Sequence, residues 1–377
     1  MSDRIPYFDL SAQYEKIRDE ILAALDDVCR HSQFVLGDEV AQFEEEFAAY
    51  CTANSCVALN SGTSALHLAL LAAGVGPGDE VITSPNTFFA TAEAISYTGA
   101  RPVLADVSPE TANIDPRALQ NAITDRTRAI VPVHLYGRPA DLGAILDIGE
   151  RHGLPIIEDA CQAHGATYRG RRVGTFGFAA AFSFYPAKNL GAYGEGGALT
   201  TNDESVAQFA RVMRDHGQAS RYLHNAVGFN YRMDGFQGAV LRIKLQHLDE
   251  WTTKRRAIAQ VYRELLARTM VDIPEDIPGS ECVYHIFAVY VDDRDSVRSA
   301  LAARGISTGI HYPIPVHLQK AYAGLGYERG DFPHAERACD RVLSMPLFPE
   351  MTIDQARYAG SALAEIAGAA RQGVRAE

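Results

Sequence analysis

Between Ser55 and Thr200 short β-rich runs alternate with helical ones, and nothing else in this chain limits its fold so strongly. The candidate strands are CVALN, EVITSP, RPVLAD, AIVPVH, LPIIED and AAAFSF, and the candidate helices between them include GTSALHLALLAAG, TFFATAEAISYTG, PRALQNAI and DLGAILDIGERHG. The helical runs end near a glycine, which accepts a left-handed cap, or near a basic residue, which complements the last carbonyls. Strands that alternate with helices pair in parallel, because each helix crosses back over the sheet. The pattern therefore predicts an α/β, doubly wound core around a mostly parallel sheet. GVGPGDE lies between a helix and the next strand; a phosphate-binding glycine loop opens a helix, so this run reads as a turn.

The flanks extend the plan. Ser11 to Arg30 has apolar Tyr14, Ile17, Ile21, Leu22 and Leu25 at helical spacing. Asp234 to Leu266 carries long helical periodicity, followed by an expected strand, helix and strand in VYHIFAVYV, SVRSALAARG and ISTGIHY. The Pro/Gly/acid-rich stretch Pro274 to Gly279 reads as a connector. With 377 residues there is room for more than one domain. The expected division is a large domain, residues 1–247, that includes the N-terminal helix, and a smaller C-terminal α+β domain, residues 248–377.

Composition narrows the function classes. Lys and Arg number 35 against 47 Asp and Glu, a net charge of −12, and the basic residues are scattered, so a nucleic-acid partner lacks its electrostatic footprint. No stretch approaches the roughly 18 apolar residues that span a bilayer, and the N-terminus has no apolar signal core; a cytoplasmic protein without a membrane partner is expected. The six cysteines form no paired metal motif and read as reduced thiols. His311 and His317 stand six apart without a third ligand at suitable spacing, so no metal is expected.

Three segments carry chemistry. In NSGTSALHLALLAAG, Asn60 to Thr63 lie between a strand end and a helix start, where free N–H groups and the helix dipole favour a phosphate, although a plain Ser/Thr cap would look alike. In IIEDACQAHGA, Glu158 and Asp159 close an apolar strand, where ligands of open α/β sheets collect; a helix-capping carboxylate is the local alternative. In AAAFSFYPAKNLGAYGEGGALT, Lys188 follows an apolar strand, and apolar neighbours lower a lysine pKa and free its amine for a Schiff base. A phosphate cup, an acid and a lysine together meet the needs of pyridoxal 5′-phosphate (PLP).

With these residues in view, the chain resembles the DegT/DnrJ/StrS sugar aminotransferases, fold-type I PLP enzymes. The likeness runs from FDLSAQYEKIRDEI through NSGTSALHLAL, PNTFFATAEAI, VPVHLYGRPADL, IEDACQAHGA, SFYPAKNLGAYGEGGAL and VGFNYRMDGFQGAVLRIKL to GIHYPIPVHLQKAY. The resemblance implies Lys188 as the Schiff-base lysine and proton shuttle and Asp159 as partner of the pyridinium nitrogen. It implies Gln162 beside the phenolic oxygen, Phe88 stacked on the ring, and Gly62, Thr63 and Ser183 around the phosphate. Asn230 matches a residue that family members supply from the neighbouring subunit, which implies a homodimer with shared active sites. Tyr185, Arg232, Tyr312 and His317 become candidate contacts of the sugar nucleotide.

The implied reaction moves an amino group from L-glutamate to a nucleotide-linked keto-sugar in antibiotic or polysaccharide biosynthesis. The segments look closest to the subgroup acting at C3 of dTDP-3-keto-6-deoxyhexoses. Enzymes acting at C4 more often carry histidine where Tyr185 stands, and they are the alternative. Glu195 occupies a position where the C3 relatives more often have aspartate. A PLP-dependent dehydratase would replace Lys188 with histidine, and a non-catalytic PLP-binding regulator would have no chemical need for Lys188, Asp159 and Gln162 together.

Overall fold

The computed structural model describes residues 4–374. Strands β1 (Ser55–Leu59), β2 (Glu80–Thr83), β3 (Arg101–Leu104), β4 (Thr127–Ile130), β5 (Ile157–Asp159) and β6 (Ala179–Ser183) form where the β-rich runs stand. A seventh, β7 (Gly197–Thr201), runs through GALTT at the end of the glycine-rich segment, where no strand is expected from the sequence. The order is β1-β7-β6-β5 and β3-β2-β4, joined by parallel bridges from Ile130 to Ile156 and from Val133 to Asp159. All pairings are parallel except those of β7, which lies antiparallel between β1 and β6. Pro102 is tolerated in β3 because that strand is an edge and needs no ladder donor on its outer side.

Helices α2 (Asp38–Cys51), α3 (Gly62–Ala72), α4 (Ala90–Tyr97), α5 (Pro116–Asn121), α6 (Leu142–His152) and α7 (Glu204–Arg214) surround this sheet, while Ile17 and Ile21 of α1 (Ser11–His31) pack on Val240 and Trp251. Successive strand side chains point to opposite faces, and β1 shows the result. Val57 and Leu59 pack with α3 residues Leu66 and Leu70 in one core cluster, while Cys56 and Ala58 join Phe43, Phe47, Phe182 and Phe184 in another. Both faces are dry, as a parallel sheet requires.

Helix α8 (Gly235–Leu266) is continuous over 32 residues, so the expected division at 247/248 falls within a helix. Its C-terminal half packs in a separate cluster: Ile258 and Tyr262 meet Phe287 and Val289 of β8 (Phe287–Tyr290), Leu301 of α9 (Arg294–Ala303), Leu343 of β9 (Val342–Met345) and Leu363 of α11 (Ile353–Val374). The strand expected over ISTGIHY does not form. Ile306 bridges Ile5 and Gly309 bridges Ser344, but β9 takes the antiparallel place beside β8. Gly309 stands within the run, and Pro313 and Pro315 follow it at once; proline lacks the ladder donor. GVGPGDE is a turn closed by Gly76 N–H on the Asp79 carboxylate at 2.9 Å.

Candidate active site

The carboxyl ends of β1, β2, β4, β5 and β6 open onto one cavity of about 680 Å³. Because β7 runs the other way, Glu195, just before it, reaches the same edge. The far wall comes from the second cluster and the N-terminal segment, with Tyr7, Arg255, His285, His311, Tyr312 and Leu347.

At the end of β1, Ser61 caps α3 by accepting from Ser64 N–H at 3.1 Å. The next N–H groups have no acceptor within the helix, and Gly62 and Thr63 both line the cavity. A Cβ on Gly62 would stand 2.6 Å from Cys161 Sγ and 2.9 Å from Ser183 Cβ, so only glycine lets the helix start so close to β6. A Cβ on Gly197 would meet the Ser61 carbonyl carbon at 2.2 Å; β7 passes here only without a side chain.

Asp159 ends β5 and is 5% exposed. Its Oδ2 accepts from Thr91 Oγ1 at 2.8 Å and its Oδ1 from Cys161 N–H at 3.2 Å. Glu158, one residue earlier, points into the opposite face. It accepts from Gly174, Phe176 and Gly177 N–H groups and pairs with His134 Nε2 at 3.1 Å, wholly buried. Those donors hold its carboxyl below the usual range despite burial. The two neighbouring acids thus part: one faces the cavity, the other braces the loop after β5.

Lys188 lies in the loop after β6, its N–H bonded to Tyr185 O at 2.8 Å. Burial lowers its pKa below 10.5, while Cys161 and Asp159 oppose the shift. Gln162 is engaged at both ends: Oε1 accepts from Tyr136 N–H at 2.7 Å and Nε2 donates to the Tyr312 hydroxyl at 3.1 Å. Phe88, 55% exposed, stands 5.6 Å from the Tyr312 ring across the cavity, so it is no part of the core. Ser183 and Tyr185, the latter 53% exposed, line the β6 side.

Three candidates lie off this wall. His317 is 2% exposed, pairs through Nε2 with Glu336 Oε1 at 3.1 Å and packs edge-on against Phe332. It is a buried brace in the segment that follows α9 and does not line the cavity. Arg232 pairs with Asp215 at 2.7 Å, and Asn230 is exposed, its carbonyl accepting from Asn60 Nδ2 at 3.3 Å; neither lines the cavity of its own chain. Conversely, Tyr7, Arg255 and His285 carry no signal in the sequence that marks them for this cavity, and Thr91 and His311, the latter considered there only as a metal ligand, line it too. Thr91 stands three residues from Phe88 on the first turn of α4 and was within reach of a helical-spacing argument; the others arrive from distant segments.

The donor set fits PLP on the structure itself: a helix start that excludes any side chain at Gly62, hydroxyls of Thr63 and Ser183 beside it, a fixed carboxylate, and a lysine with its charge disfavoured. A profile of the DegT/DnrJ/EryC1/StrS aminotransferase family matches residues 15–364. A Streptomyces venezuelae protein named dTDP-3-amino-3,4,6-trideoxy-alpha-D-glucose transaminase is 48% identical over 94% of this chain and 93% of its own. A Geobacillus stearothermophilus protein named pleiotropic regulatory protein is 47% identical over 96% and 98%. The crystal structure of S. venezuelae DesV in complex with a ketimine intermediate superposes at a TM-score of 0.95, with 47% identity, covering 97% of this chain and 98% of that one.

Proposed function

The chain belongs to the DegT/DnrJ/EryC1/StrS aminotransferase family, and from that membership we propose that it moves the amino group of L-glutamate to C3 of a dTDP-linked 3-keto-6-deoxyhexose. It is a PLP-dependent sugar aminotransferase. The observation that carries the reading is the convergence of Lys188, Asp159 and the α3 start on one cavity. The C3 position is supported by Tyr185 after the Ser183–Phe184 pair and by the 3-amino product in the name of the S. venezuelae relative.

PLP supplies an aldehyde for amine exchange and a ring that draws electrons from the neighbouring carbon. The protein's own groups do the rest. Gly62, Thr63 and Ser183 hold the phosphate, where the α3 dipole favours negative charge. Asp159, fixed by Thr91 and the Cys161 N–H, keeps a proton on the ring nitrogen. Phe88 would cover the ring face, and Gln162 would stand beside its phenolic oxygen. Lys188 Nζ, its amine form favoured by burial, takes and returns the proton of the reacting carbon. Tyr185 and Tyr312 contact the sugar nucleotide.

The same reading includes a cytoplasmic homodimer with shared sites and the two-part division 1–247 and 248–377. Asn230 and Arg232 lie outside their own cavity; exposed apolar Tyr222, Leu223 and Val227 precede them in the chain, and exposed Val35 and Phe34 meet the following Asp234 and Phe236, a surface suited to a second copy that would receive them.

Purified protein should carry the visible absorbance of lysine-bound PLP, shifted by L-glutamate, and Lys188→Ala should abolish it; a colourless wild type that takes up no PLP overturns the reading. A panel of dTDP- and UDP-linked 3-keto and 4-keto sugars with L-glutamate, read by product mass and NMR, tests carbon and nucleotide. Mixing Asn230→Ala with Lys188→Ala should restore activity through hybrid dimers, and no recovery counts against sharing.

A further inference from the structure

Arg255 stands on the cavity wall but has no place in the cofactor's needs. It projects from the middle of α8 and is only 7% exposed, yet it borders the same space as Lys188. Its Nη1 donates to the main-chain oxygens of Tyr284 at 3.3 Å and Leu347 at 3.1 Å, and its Nε is buried without a partner among the described residues. Half of the guanidinium fork is thus unused. Burial pulls its pKa down to about 10, partly opposed by Glu350 and Tyr7, which still leaves it protonated at neutral pH.

The other basic side chains on this wall differ. Burial lowers the pKa of Lys188, His285 and His311, so their neutral forms are favoured. Among the described residues Arg255 is the one fixed positive charge that lines the cavity. His285 follows Tyr284, whose carbonyl Arg255 bonds, and it lines the same cavity as Lys188 and Arg255. The phosphate already has its helix start across the cavity. A buried guanidinium with unused donors is costly unless an anion meets it, and its planar fork matches a carboxylate.

We propose that Arg255 binds a carboxylate of the amino donor and thereby makes the first half-reaction selective for amino acids; the inference rests on the reading of L-glutamate as donor. Glutarate, a dicarboxylate without an amine, is the probe. Calorimetry on the holoenzyme should show glutarate binding weakened about 100-fold in Arg255→Met and less in Arg255→Lys, while a dTDP-sugar binds within about threefold of wild type. Equal glutarate affinity in all three proteins, or parallel loss of glutarate and dTDP-sugar binding, overturns the proposal. Should the variants not fold, a crystal structure of wild type with glutarate decides: a carboxylate within hydrogen-bond distance of the guanidinium supports it, and one seated elsewhere overturns it. A wild type that binds dTDP-sugar but neither binds glutarate nor reacts with L-glutamate removes the donor reading, and this proposal with it.

Discussion

At the scale of single residues, the end of β5 shows how neighbours acquire opposite tasks. Asp159 depends on Thr91, whose hydroxyl is a neutral donor to a buried carboxylate. Thr91→Val keeps the shape and removes that bond, so PLP should bind about fivefold to tenfold more weakly, about 1 kcal/mol, in an equilibrium titration of apoprotein. Glu158 has a folded pKa below 4.5, held there by three backbone N–H groups and His134. A depressed carboxylate contributes its stability fully above the unfolded pKa and loses it as pH falls through the folded value. Wild type should therefore lose melting temperature as pH drops below 4.5. Glu158→Gln should be less stable at pH 7 by about 3 kcal/mol, and show a flatter decline in that acid window.

At the scale of elements, the site is set by how closely α3 begins against β6. The helix is buried on nearly every side, so it cannot shift to accommodate a new atom. Gly62 has no unusual φ, and the constraint is space alone. Gly62→Ala should leave the secondary structure intact by circular dichroism yet weaken PLP binding at least tenfold, because the added methyl would push the helix start from Ser183 and Cys161. An alanine variant with wild-type affinity would show that α3 can retreat without moving the phosphate site.

Across the whole molecule, the cavity is walled by segments far apart in the chain, and one side chain from the sheet side caps a helix on the other wall. Asp106, just after β3, accepts from His334 and Ala335 N–H at 3.1 and 2.9 Å and so caps α10 (Pro333–Arg341), a helix that lacks its own side-chain cap. Asp106→Ala should lower stability by about 1 kcal/mol, as for loss of an ordinary cap, and raise KM for the sugar nucleotide more than it lowers kcat, since the wall bearing Tyr312 is held in part by this contact. Thermal melts and steady-state kinetics on the variant check both.

The alternation of apolar runs, the helix start at Gly62, the acid at a strand end and the lysine after an apolar strand were all legible in the sequence, because each is a local pattern of a few residues. Register was not. Whether Glu158 or Asp159 faces the cavity follows from which side of β5 is covered by α3, a result of pairing with β6. The inward turn of His317, the replacement of an expected strand by Val342–Met345, and the arrival of Arg255, His285 and Tyr7 beside Lys188 depend on segments far apart in the chain. Local spacing fixes what chemistry a segment can offer, whereas only long-range packing decides which offers meet.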